Sequence, residues 1–432
     1  MKSLKKSTIK IIASVNAVIA QFHQLPNKGR VENIVKRVED MEEINVAVAF
    51  KNVMQDFGYR HKNFEELLMG NFYRTQQIHG DLSYFSQDKK LLLGAFLTKE
   101  YSFQAAALFN PSIVPHPSQT GLRDGEQRFI MSLRATGEGH ISSIIFKTGV
   151  VNKQGEVILD EPSNYFSVLN KTSDQADQNI DYTSSSSFED FADNNYDLFS
   201  PSNIMLSEKV IFPSAKFERM GMEDLRLVKF DDGDNHCYYG TYTAYDGRNI
   251  RTMLLETNDF DSFRVRSLYG NAINDKGMAL FPEKVNGKFV ICSRQGSEVL
   301  SIMFSDDLYR WESYQMLREP EFEWEFVQMG NCGSPIKTDK GWLLLTHGVG
   351  AMRKYVISAV LLNLENPLQV MGRLKKPLIV AEGEEREGYV PNVVYTCGML
   401  QHGNLLVIPY AVSDFATVFA SVDIDEILNE MK

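Results

Sequence analysis

The sequence predicts an all-β fold, a five-bladed β-propeller with an N-terminal helical extension, because one pattern occurs five times between Ala107 and the C-terminus. Each copy has a leader rich in Gly and Pro, followed by two short apolar runs that end in polar or turn residues. From the second copy on, the leaders begin at 221, 277, 330 and 388, in steps of 56, 53 and 58 residues. Short strands repeated at such a period are typical of radial repetition with one repeat in each blade.

The leaders and the apolar runs predict the strands of each blade. The leaders are residues 107–117, 221–233, 277–287, 330–341 and 388–403. The first apolar runs are 129–134, 238–245, 289–294, 342–347 and 405–410, and the second are 140–149, 249–259, 297–307, 354–366 and 416–426. We expect four strands in each blade, with the leader as the innermost strand. Polar residues of successive leaders then converge on one central funnel.

The residues before the repeats predict a helical region, 1–106, that packs on the propeller domain of residues 107–432. Val31, Ile34 and Val38 recur at helical spacing and therefore share one face of a helix. We expect these helices to form a cap outside the propeller. Assembly of the chain into a homo-oligomer through this cap is a further expectation.

The beginning of the chain has two interpretations. Residues 11–20 read either as the first helix of the helical region or as the apolar part of a signal peptide. The first interpretation predicts a cytoplasmic protein, and the second leaves secretion or a periplasmic location open. The stretch is too short for a membrane span, which needs roughly 20 apolar residues.

Composition excludes two classes of function. Lys and Arg number 45 against 56 Asp and Glu, a formal net charge of −11, and without a basic block the chain is not expected to bind nucleic acid. The cysteines occur singly in strand-like runs, with no CxxC pair, at Cys237, Cys292, Cys332 and Cys397. This spacing predicts buried reduced thiols and no metal site.

The step from the first leader to the second is longer than the others. It measures 114 residues, from 107 to 221, which is about one period plus an insertion at 151–206. The insertion is polar and acidic and has almost no apolar periodicity. We predict a mobile loop, and the alternative is a lid over the funnel, because the insertion leads to the leader that carries Asp224.

An acidic pair marks the second leader. Glu223 and Asp224 are followed by Arg226 between two apolar runs, where a buried strand is expected. Neighbouring residues of a strand face opposite sides, so the two carboxylates are not both expected to point into the funnel. We expect one of them to be functional and the other structural.

Seven motifs, in combination and order, resemble glycoside hydrolase family 130. The resemblance spans residues 107–427 and leaves out the N-terminal helices and the polar insertion. It implies a five-bladed propeller that cleaves β-mannosides by phosphorolysis or, in some members, by hydrolysis. The motifs are Phe109–Ser112, Ser132–Ala135, Gly221–Arg226, Lys276–Lys284, Gly330–Ile336, Gly341–Gly348 and Gly388–Val394.

The resemblance assigns roles at the cleavage site. Asp224 matches the family's proton donor, which protonates the leaving oxygen in an inverting cleavage. Asn110, Arg134 and Asp414 match residues that hold the mannosyl ring, and such side chains supply the donors and acceptors that a neutral sugar needs. A structural alternative for Arg134 is an ion pair with Asp224 or Glu138.

Five aromatic residues near leader or strand ends offer stacking platforms for a sugar. Most aromatic residues in such runs belong to the core, so only one or two of the five are expected to contact substrate. We assign this role to two of them. The five are Tyr242, Tyr245, Trp324, Tyr389 and Tyr410, and the two are Tyr245 and Tyr389.

Phosphorolysis needs a basic pocket for inorganic phosphate, which acts as co-substrate; no other cofactor is expected. Arg294 and His347 match two positions of the family's phosphate-binding cluster. Lys276 stands where Arg is usual, Gly277 replaces an Asn, and Gln328 replaces a Lys. Lys and Arg are not equivalent in binding phosphate, so the pocket is altered but present. The leading hypothesis is a β-mannoside phosphorylase that produces α-mannose 1-phosphate.

Two alternatives stay open at this point. An inverting β-mannosidase needs a carboxylate base to activate water, and the candidates are Glu387, Glu325 and Glu283. Glu283 lies beside Lys284, and an ion pair between them is the simpler interpretation. The other alternative is a propeller that binds glycans without catalysis, which the acid motif and its neighbours disfavour.

Overall fold

The computed structural model describes residues 2–172, 195–201, 203–233 and 236–431, so much of the predicted insertion at 151–206 lies outside the described residues. The chain divides into two compact units. One unit, here called the helical unit, consists of Ser14–Ala105 with Ser163–Ser167, and the rest of the described chain forms the sheet unit. Within the described residues, no helix has the length and apolar character that crossing a membrane requires.

The elements before the repeats are three strands and four helices. In chain order they are β1 (Lys5–Ile11), β2 (Val18–Phe22), α1 (Lys28–Glu39), α2 (Glu43–Phe57), α3 (Phe64–His79), α4 (Gln87–Phe96) and β3 (Thr98–Ser102). The predicted face of α1 is confirmed, since Val31 and Val38 are buried and Ile34 packs against the same core. Asn27 caps α1 because its side chain accepts a hydrogen bond from the backbone N–H of Arg30.

The repeats consist of short antiparallel strands, as their apolar runs predict. The first repeat contains β4 (Ala107–Pro115), β5 (Gln127–Thr136), β6 (Ser142–Val151) and β7 (Val157–Leu159). Four strands follow, β8 (Ser167–Val168), β9 (Asn170–Lys171), β10 (Tyr196–Phe199) and β11 (Lys209–Ile211). The second repeat contains β12 (Gly221–Asp231), β13 (His236–Tyr245), β14 (Ile250–Thr257) and β15 (Ser262–Ser267).

The remaining repeats follow the same order. The third contains β16 (Ala279–Leu280), β17 (Phe289–Gln295), β18 (Val299–Ser305) and β19 (Gln315–Arg318). The fourth contains β20 (Gln328–Asn331), β21 (Ile336–Thr338), β22 (Gly341–Val349), β23 (Tyr355–Leu362), β24 (Val370–Arg373) and β25 (Ile379–Val380). The fifth contains β26 (Val394–Tyr395), β27 (Leu400–His402), β28 (Leu405–Val412) and β29 (Ala416–Asp423), and helix α5 (Ile424–Glu430) follows.

In every repeat the leader strand pairs with the first apolar run, which pairs in turn with the second. The third repeat is a four-stranded sheet in the order β16-β17-β18-β19. The first two repeats share one larger sheet, because Gly221 of β12 pairs in parallel with Ser142 of β6. The predicted leader strand and the strands of the two apolar runs therefore form in each repeat, and the sheet unit is mostly β-strand.

The beginning of the chain corrects the helix predicted at 11–20, because Val18–Phe22 form strand β2 and a further strand, β1, precedes it. Residues 5–11 are strand β1, which pairs antiparallel with β29 through Lys5 opposite Ser421 and Ile11 opposite Thr417. Ile9 and Ile11 alternate with polar residues, the period of a strand, and β29 offers a free edge to it. The boundary at 1–106 was therefore wrong for this segment, which belongs to the sheet of the last repeat.

The core of the sheet unit lies between successive sheets. Phe281 of the third repeat packs edge-on against Trp342 of the fourth, with ring centroids 5.2 Å apart. Val290 and Leu344 belong to the same fully buried cluster. Burying a large apolar side chain contributes roughly 1.5–3 kcal/mol, so these contacts hold neighbouring repeats in fixed register.

Candidate active site

The candidate site forms where the leader strands depart from regular β geometry. In β4 the register shifts between Phe109 and Ser112, and Asn110 between them has a φ of 48°. In β12 the register shifts in the same way around Asp224, which has a φ of 57°. Left-handed backbone is uncommon outside glycine, and Asn and Asp tolerate it best among other residues. Each of these two leader strands therefore has a bulge, which turns a polar side chain out of the normal alternation.

The bulge at Asp224 overturns the alternation argument for the acidic pair. Glu223 Oε1 accepts a hydrogen bond from Arg134 Nη2 at 2.8 Å, and Asp224 Oδ1 lies 3.5 Å from Arg134 Nη1. Both carboxylates therefore face the same guanidinium. Asp224 Oδ1 also accepts a hydrogen bond from Asn110 Nδ2 at 2.7 Å. The prediction that only one carboxylate points into the site was wrong, because the left-handed residue breaks the two-residue period.

Three of the four residues matched to the cleavage subsite are in direct contact. Arg134 bridges Glu223 and Asp224, so its structural alternative of pairing with Asp224 coexists with the proposed sugar-binding role. Arg134 is further fixed by a hydrogen bond from its Nε to Ser142 Oγ at 2.9 Å and by the ring of Phe109, 5.0 Å away. The guanidinium is therefore held in one orientation before any ligand binds.

Asp414 lies in the turn between β28 and β29. It has a φ of 48°, directly after Ser413, which also has positive φ. Burial, and after it the charge of the Asp224 carboxylate, raise the pKa of Asp414 to about 6, and the charges of Arg134 and Arg353 oppose this shift. Asp414 is therefore close enough to the Arg134–Asp224 pair for their charges to act on its carboxyl.

Asp224 is surrounded by positive charge. Burial by itself raises the pKa of the Asp224 carboxyl, but Arg134, Arg226 and Lys276, together with the hydrogen bond from Asn110, hold the pKa below its usual value. The group is therefore ionised in the free protein at neutral pH. A substrate complex that protonates it has to reduce this positive field.

A buried carboxylate anchors the chain just before β12. Glu218 accepts hydrogen bonds from the hydroxyls of Tyr196 and Tyr242 and from the backbone N–H groups of Ser214 and Ala215. Four donors satisfy the buried group, which would otherwise be costly. Tyr242 is therefore a core residue and not a stacking platform. The anchored segment leads directly into the strand that carries Asp224.

The predicted phosphate residues come together around Gly330 of β20. A Cβ at Gly330 would lie 2.7 Å from His347 Cε1 and 3.3 Å from Arg294 Cδ, so the two side chains flank this position. Gly277 lies close by, since a Cβ there would be 4.0 Å from Arg294 Cβ. Lys276 Nζ lies 3.8 Å from Glu223 Oε2, which connects this cluster to Arg134.

Arg294 has a hydrogen-bonding donor that none of the described residues accepts from. Its Nη2 lies 3.7 Å from Asp275 Oδ1, and the guanidinium is 12% exposed. Its buried Nε has no hydrogen-bond partner among the described residues. Buried donors are normally satisfied, so this N–H is available to bind an anion.

His347 is a neutral imidazole in the free protein. Its Nδ1 lies 3.2 Å from the backbone oxygen of Asn331, so Nδ1 carries the proton because a carbonyl only accepts. Its Nε2 lies 3.0 Å from Gln328 Nε2 and is left as the acceptor. Burial, and after it the charge of Arg294, lower the pKa of His347 to about 3. Gln328 supplies a donor to His347 without adding a charge.

The alternative bases lie in different environments. Glu325 is 1% exposed and accepts hydrogen bonds from Arg373 Nη2 at 2.7 and 2.9 Å, which makes it a structural ion pair. Glu283 pairs with Lys337 at 2.5 Å, so the expected pair with Lys284 was wrong. Glu387 is exposed and follows the short 3₁₀ turn Gly383–Arg386. Glu387 is the one of the three whose position leaves its carboxylate open to solvent.

The two aromatic residues chosen for sugar stacking differ in exposure. Tyr389 is 55% exposed, and its hydroxyl lies 3.2 Å from His140 Nδ1. Tyr245 is half-buried at the end of β13, opposite Gly221. Their contact with substrate stays a prediction.

The cysteines are free thiols, and three of them, Cys292, Cys332 and Cys397, are buried as expected. Cys237 is half-buried. Among the residues that the structure describes, no three His, Cys, Asp or Glu side chains are grouped as metal ligands.

Sequence reasoning missed Arg226 and Tyr395. Arg226 Nη1 donates to the backbone oxygen of Asp224 at 2.8 Å, and Arg226 Nη2 donates to the Tyr395 hydroxyl at 2.8 Å. Arg226 was visible in the motif, and an arginine inside a buried strand must be paired, which was the available signal. Nothing in the sequence identifies Tyr395 as its partner.

The raised pKa of Asp414 predicts a pH-dependent stability effect. Between its usual pKa of 3.8 and about 6 the folded state binds more protons than the unfolded state, so this group's contribution to stability is lost as pH rises through that window. The stability of Asp414→Asn relative to wild type should therefore increase between pH 4 and pH 7, by about 3 kcal/mol over the whole window.

Urea unfolding followed by tryptophan fluorescence measures this difference, because all three tryptophans, Trp311, Trp324 and Trp342, lie in the sheet unit. If the difference in unfolding free energy between the variant and wild type is the same at pH 4 and at pH 7, the pKa of Asp414 is not raised in the folded protein.

The sequence of the chain is similar to those of several known proteins. The family model for glycoside hydrolase family 130, described as beta-1,4-mannooligosaccharide phosphorylase, matches residues 181–432. A 1,2-beta-oligomannan phosphorylase from Thermoanaerobacter sp. (strain X514) is 34% identical over 227 residues, which cover 51% of this chain and 75% of the relative. A beta-1,2-mannobiose phosphorylase from Listeria innocua is 30% identical over 237 residues, covering 52% of this chain and 65% of the relative.

A solved structure shows the same fold. The beta-1,2-mannobiose phosphorylase from Listeria innocua, in complex with beta-1,2-mannobiose, matches with a TM-score of 0.54 at 20% identity. The match covers 76% of this chain and 92% of the other. Since the family model spans more than half of the sequence, the chain belongs to glycoside hydrolase family 130.

Proposed function

We propose that the chain cleaves β-mannosides by phosphorolysis with inversion, releasing α-mannose 1-phosphate and a shortened acceptor. The observation that carries this proposal is the cluster of Arg294 and His347 around Gly330, joined through Lys276 and Glu223 to the Arg134–Asp224 pair. A basic cluster beside an acid is what attack by phosphate and protonation of a leaving group require. The names of the relatives, all phosphorylases of β-linked mannosides, support it.

The reaction needs one proton and one nucleophile. Asp224 donates the proton to the leaving glycosidic oxygen, directly or through a sugar hydroxyl, as the bond from this oxygen to C1 breaks. A phosphate oxygen attacks C1 from the opposite face, which turns the β-linkage into an α-phosphate. The roles of Asn110, Arg134 and Asp414 are to hold the ring, and a fixed guanidinium and amide lower the cost of orienting it.

Binding of phosphate also prepares the acid. The charge of Lys276 helps to hold the pKa of Asp224 low. A phosphate dianion bound by Lys276 and Arg294 offsets this positive field, so the pKa of Asp224 rises when the anion arrives. Asp224 is then protonated in the complex that contains both the mannoside and phosphate.

The five repeats are proposed to be the five blades of a propeller around the site. The proposal is supported by the regular steps between leaders and by β1, which joins the beginning of the chain to the sheet of the last repeat. Packing of the helical unit outside this domain, a homo-oligomer and a cytoplasmic location stay predictions.

The hydrolytic alternative has less support. Glu325 and Glu283 are engaged by Arg373 and Lys337, and neither is available as a base without breaking an ion pair. Glu387 is the base to test if turnover does not need phosphate.

The deciding experiment supplies β-1,2-mannobiose or β-1,4-mannooligosaccharides with and without inorganic phosphate. We expect α-mannose 1-phosphate, detected by phosphorus NMR, only when phosphate is present, and almost no free mannose. Free mannose formed at the same rate in phosphate-free buffer would replace the phosphorylase proposal with the mannosidase.

A further inference from the structure

A buried arginine lies behind the candidate proton donor. Arg226 is 3% exposed, and its Nη1 donates to the backbone oxygen of Asp224 at 2.8 Å. Its Nε donates to the backbone oxygen of Cys332 at 3.1 Å, and its Nη2 donates to the hydroxyl of Tyr395 at 2.8 Å. The three acceptors belong to the leaders of the second, fourth and fifth repeats. A buried guanidinium whose three nitrogens each donate a hydrogen bond is costly to displace, so Arg226 fixes these leaders relative to one another.

The tyrosine that accepts from Arg226 also touches the phosphate side of the site. The ring of Tyr395 meets the imidazole of His347 edge to face, with centroids 5.1 Å apart. On its other side, His347 stacks on Tyr355 at 6.0 Å. Tyr395 therefore has two separable contacts, its hydroxyl with Arg226 and its ring with His347.

We propose that Arg226 and Tyr395 are positioning residues that hold the proton donor Asp224 and the phosphate-binding residue His347 in one fixed relation. Arg226 bonds the backbone of Asp224 where φ is 57°, a conformation that an aspartate keeps only when its surroundings impose it. Tyr395 holds Arg226 through its hydroxyl and His347 through its ring. This inference rests on the proposed phosphorolysis, which needs the acid and the nucleophile on opposite faces of one sugar.

The charge of Arg226 acts on the same two groups. For His347, burial is the main cause that lowers the pKa, and the charges of Arg294 and Arg226 lower it further. For Asp224, burial raises the pKa, and the charge of Arg226 is among those that reverse the shift. One side chain thus contacts the acid's backbone and influences both the acid and the histidine electrostatically.

Two substitutions of Tyr395 separate its contacts. Tyr395→Phe removes the hydroxyl but keeps the ring, so we expect kcat to fall about tenfold with the KM for phosphate within about twofold of wild type. Tyr395→Leu removes both contacts, and we expect the same loss in kcat with a KM for phosphate raised about tenfold in addition. The matched control is Tyr309→Phe, which removes a hydroxyl bonded to Glu256 at 2.8 Å outside the site and should leave both constants unchanged.

Steady-state release of mannose 1-phosphate at varied phosphate gives both constants, and thermal melting checks each fold. A kcat for Tyr395→Phe within twofold of wild type overturns the proposal, and this variant decides the question even if Tyr395→Leu does not fold. A parallel fall of kcat and rise of KM in both variants also overturns it, because that pattern indicates general loosening. If wild type releases only free mannose, the proposed phosphorolysis fails instead, and the kcat of Tyr395→Phe still tests the link to Asp224.

Discussion

Replacing Asp224 with Asn is expected to lower turnover of β-mannosides by about 10²–10⁴-fold or more while the fold stays intact. Asparagine keeps the shape of the side chain, and its oxygen can still accept the hydrogen bond from Asn110. It also tolerates the left-handed backbone at this position. What it cannot do is give up a proton to a leaving oxygen. The measurement is kcat from mannose 1-phosphate release, with circular dichroism and thermal melting to confirm folding.

The neighbouring carboxylate supplies the control for this experiment. Glu223 contacts the same guanidinium of Arg134 and is also close to Lys276, so Glu223→Gln removes a charge from the same cluster. We expect it to lose only about tenfold, the effect of a weaker charged hydrogen bond. Asp224→Asn activity within tenfold of wild type would remove Asp224 from the acid role. A larger loss in Glu223→Gln than in Asp224→Asn would reverse the two assignments.

The strands were predictable because their signals are local. The run Phe289–Arg294 falls within β17 (Phe289–Gln295), and the run Trp342–His347 falls within β22 (Gly341–Val349). Apolar runs bounded by Gly, Asn and Asp specify such strands without reference to the rest of the chain. The same holds for α1, whose buried face follows from helical spacing.

The departures from regular structure were not predictable in this way. Glu223 and Asp224 share a face only because Asp224 has a left-handed backbone at a bulge, and a bulge depends on the pairing of β12 with β13. The strand Lys5–Ile11 was mistaken for part of a helical region, because its partner β29 lies at the other end of the chain. Both errors come from pairing between distant segments, which local periodicity does not encode.

The candidate site was also predictable only in part. The family resemblance assigned Asn110, Arg134 and Asp224 to one subsite, and the structure has contacts between them, while their roles stay predictions. Tyr395 was missed because it is 169 residues from its partner Arg226. An arginine inside a buried strand signals a partner but does not name it.

Replacing Arg294 with Ala is expected to raise the KM for phosphate by roughly 10–100-fold and to change the KM for the mannoside much less. The reason is the unused hydrogen-bonding capacity of this guanidinium, whose buried Nε has no partner among the described residues and whose neighbour His347 is uncharged. Because its neighbours His347 and Gln328 are both neutral, Arg294 carries a large share of the attraction for the anion. Initial rates at varied phosphate and at varied mannoside separate the two constants.

The control is Arg310→Ala, an exposed arginine that pairs with Glu312 and has no contact with the site residues. Lys276→Ala is expected to have a smaller effect than Arg294→Ala, because its ammonium is 43% exposed and screened by water. Equal increases in both KM values for Arg294→Ala would mean that the residue shapes the site rather than binding phosphate. If the rate does not depend on phosphate in either wild type or the variant, the enzyme hydrolyses its substrate and Glu387 becomes the candidate base. The other two candidates are already engaged, Glu325 by Arg373 and Glu283 by Lys337.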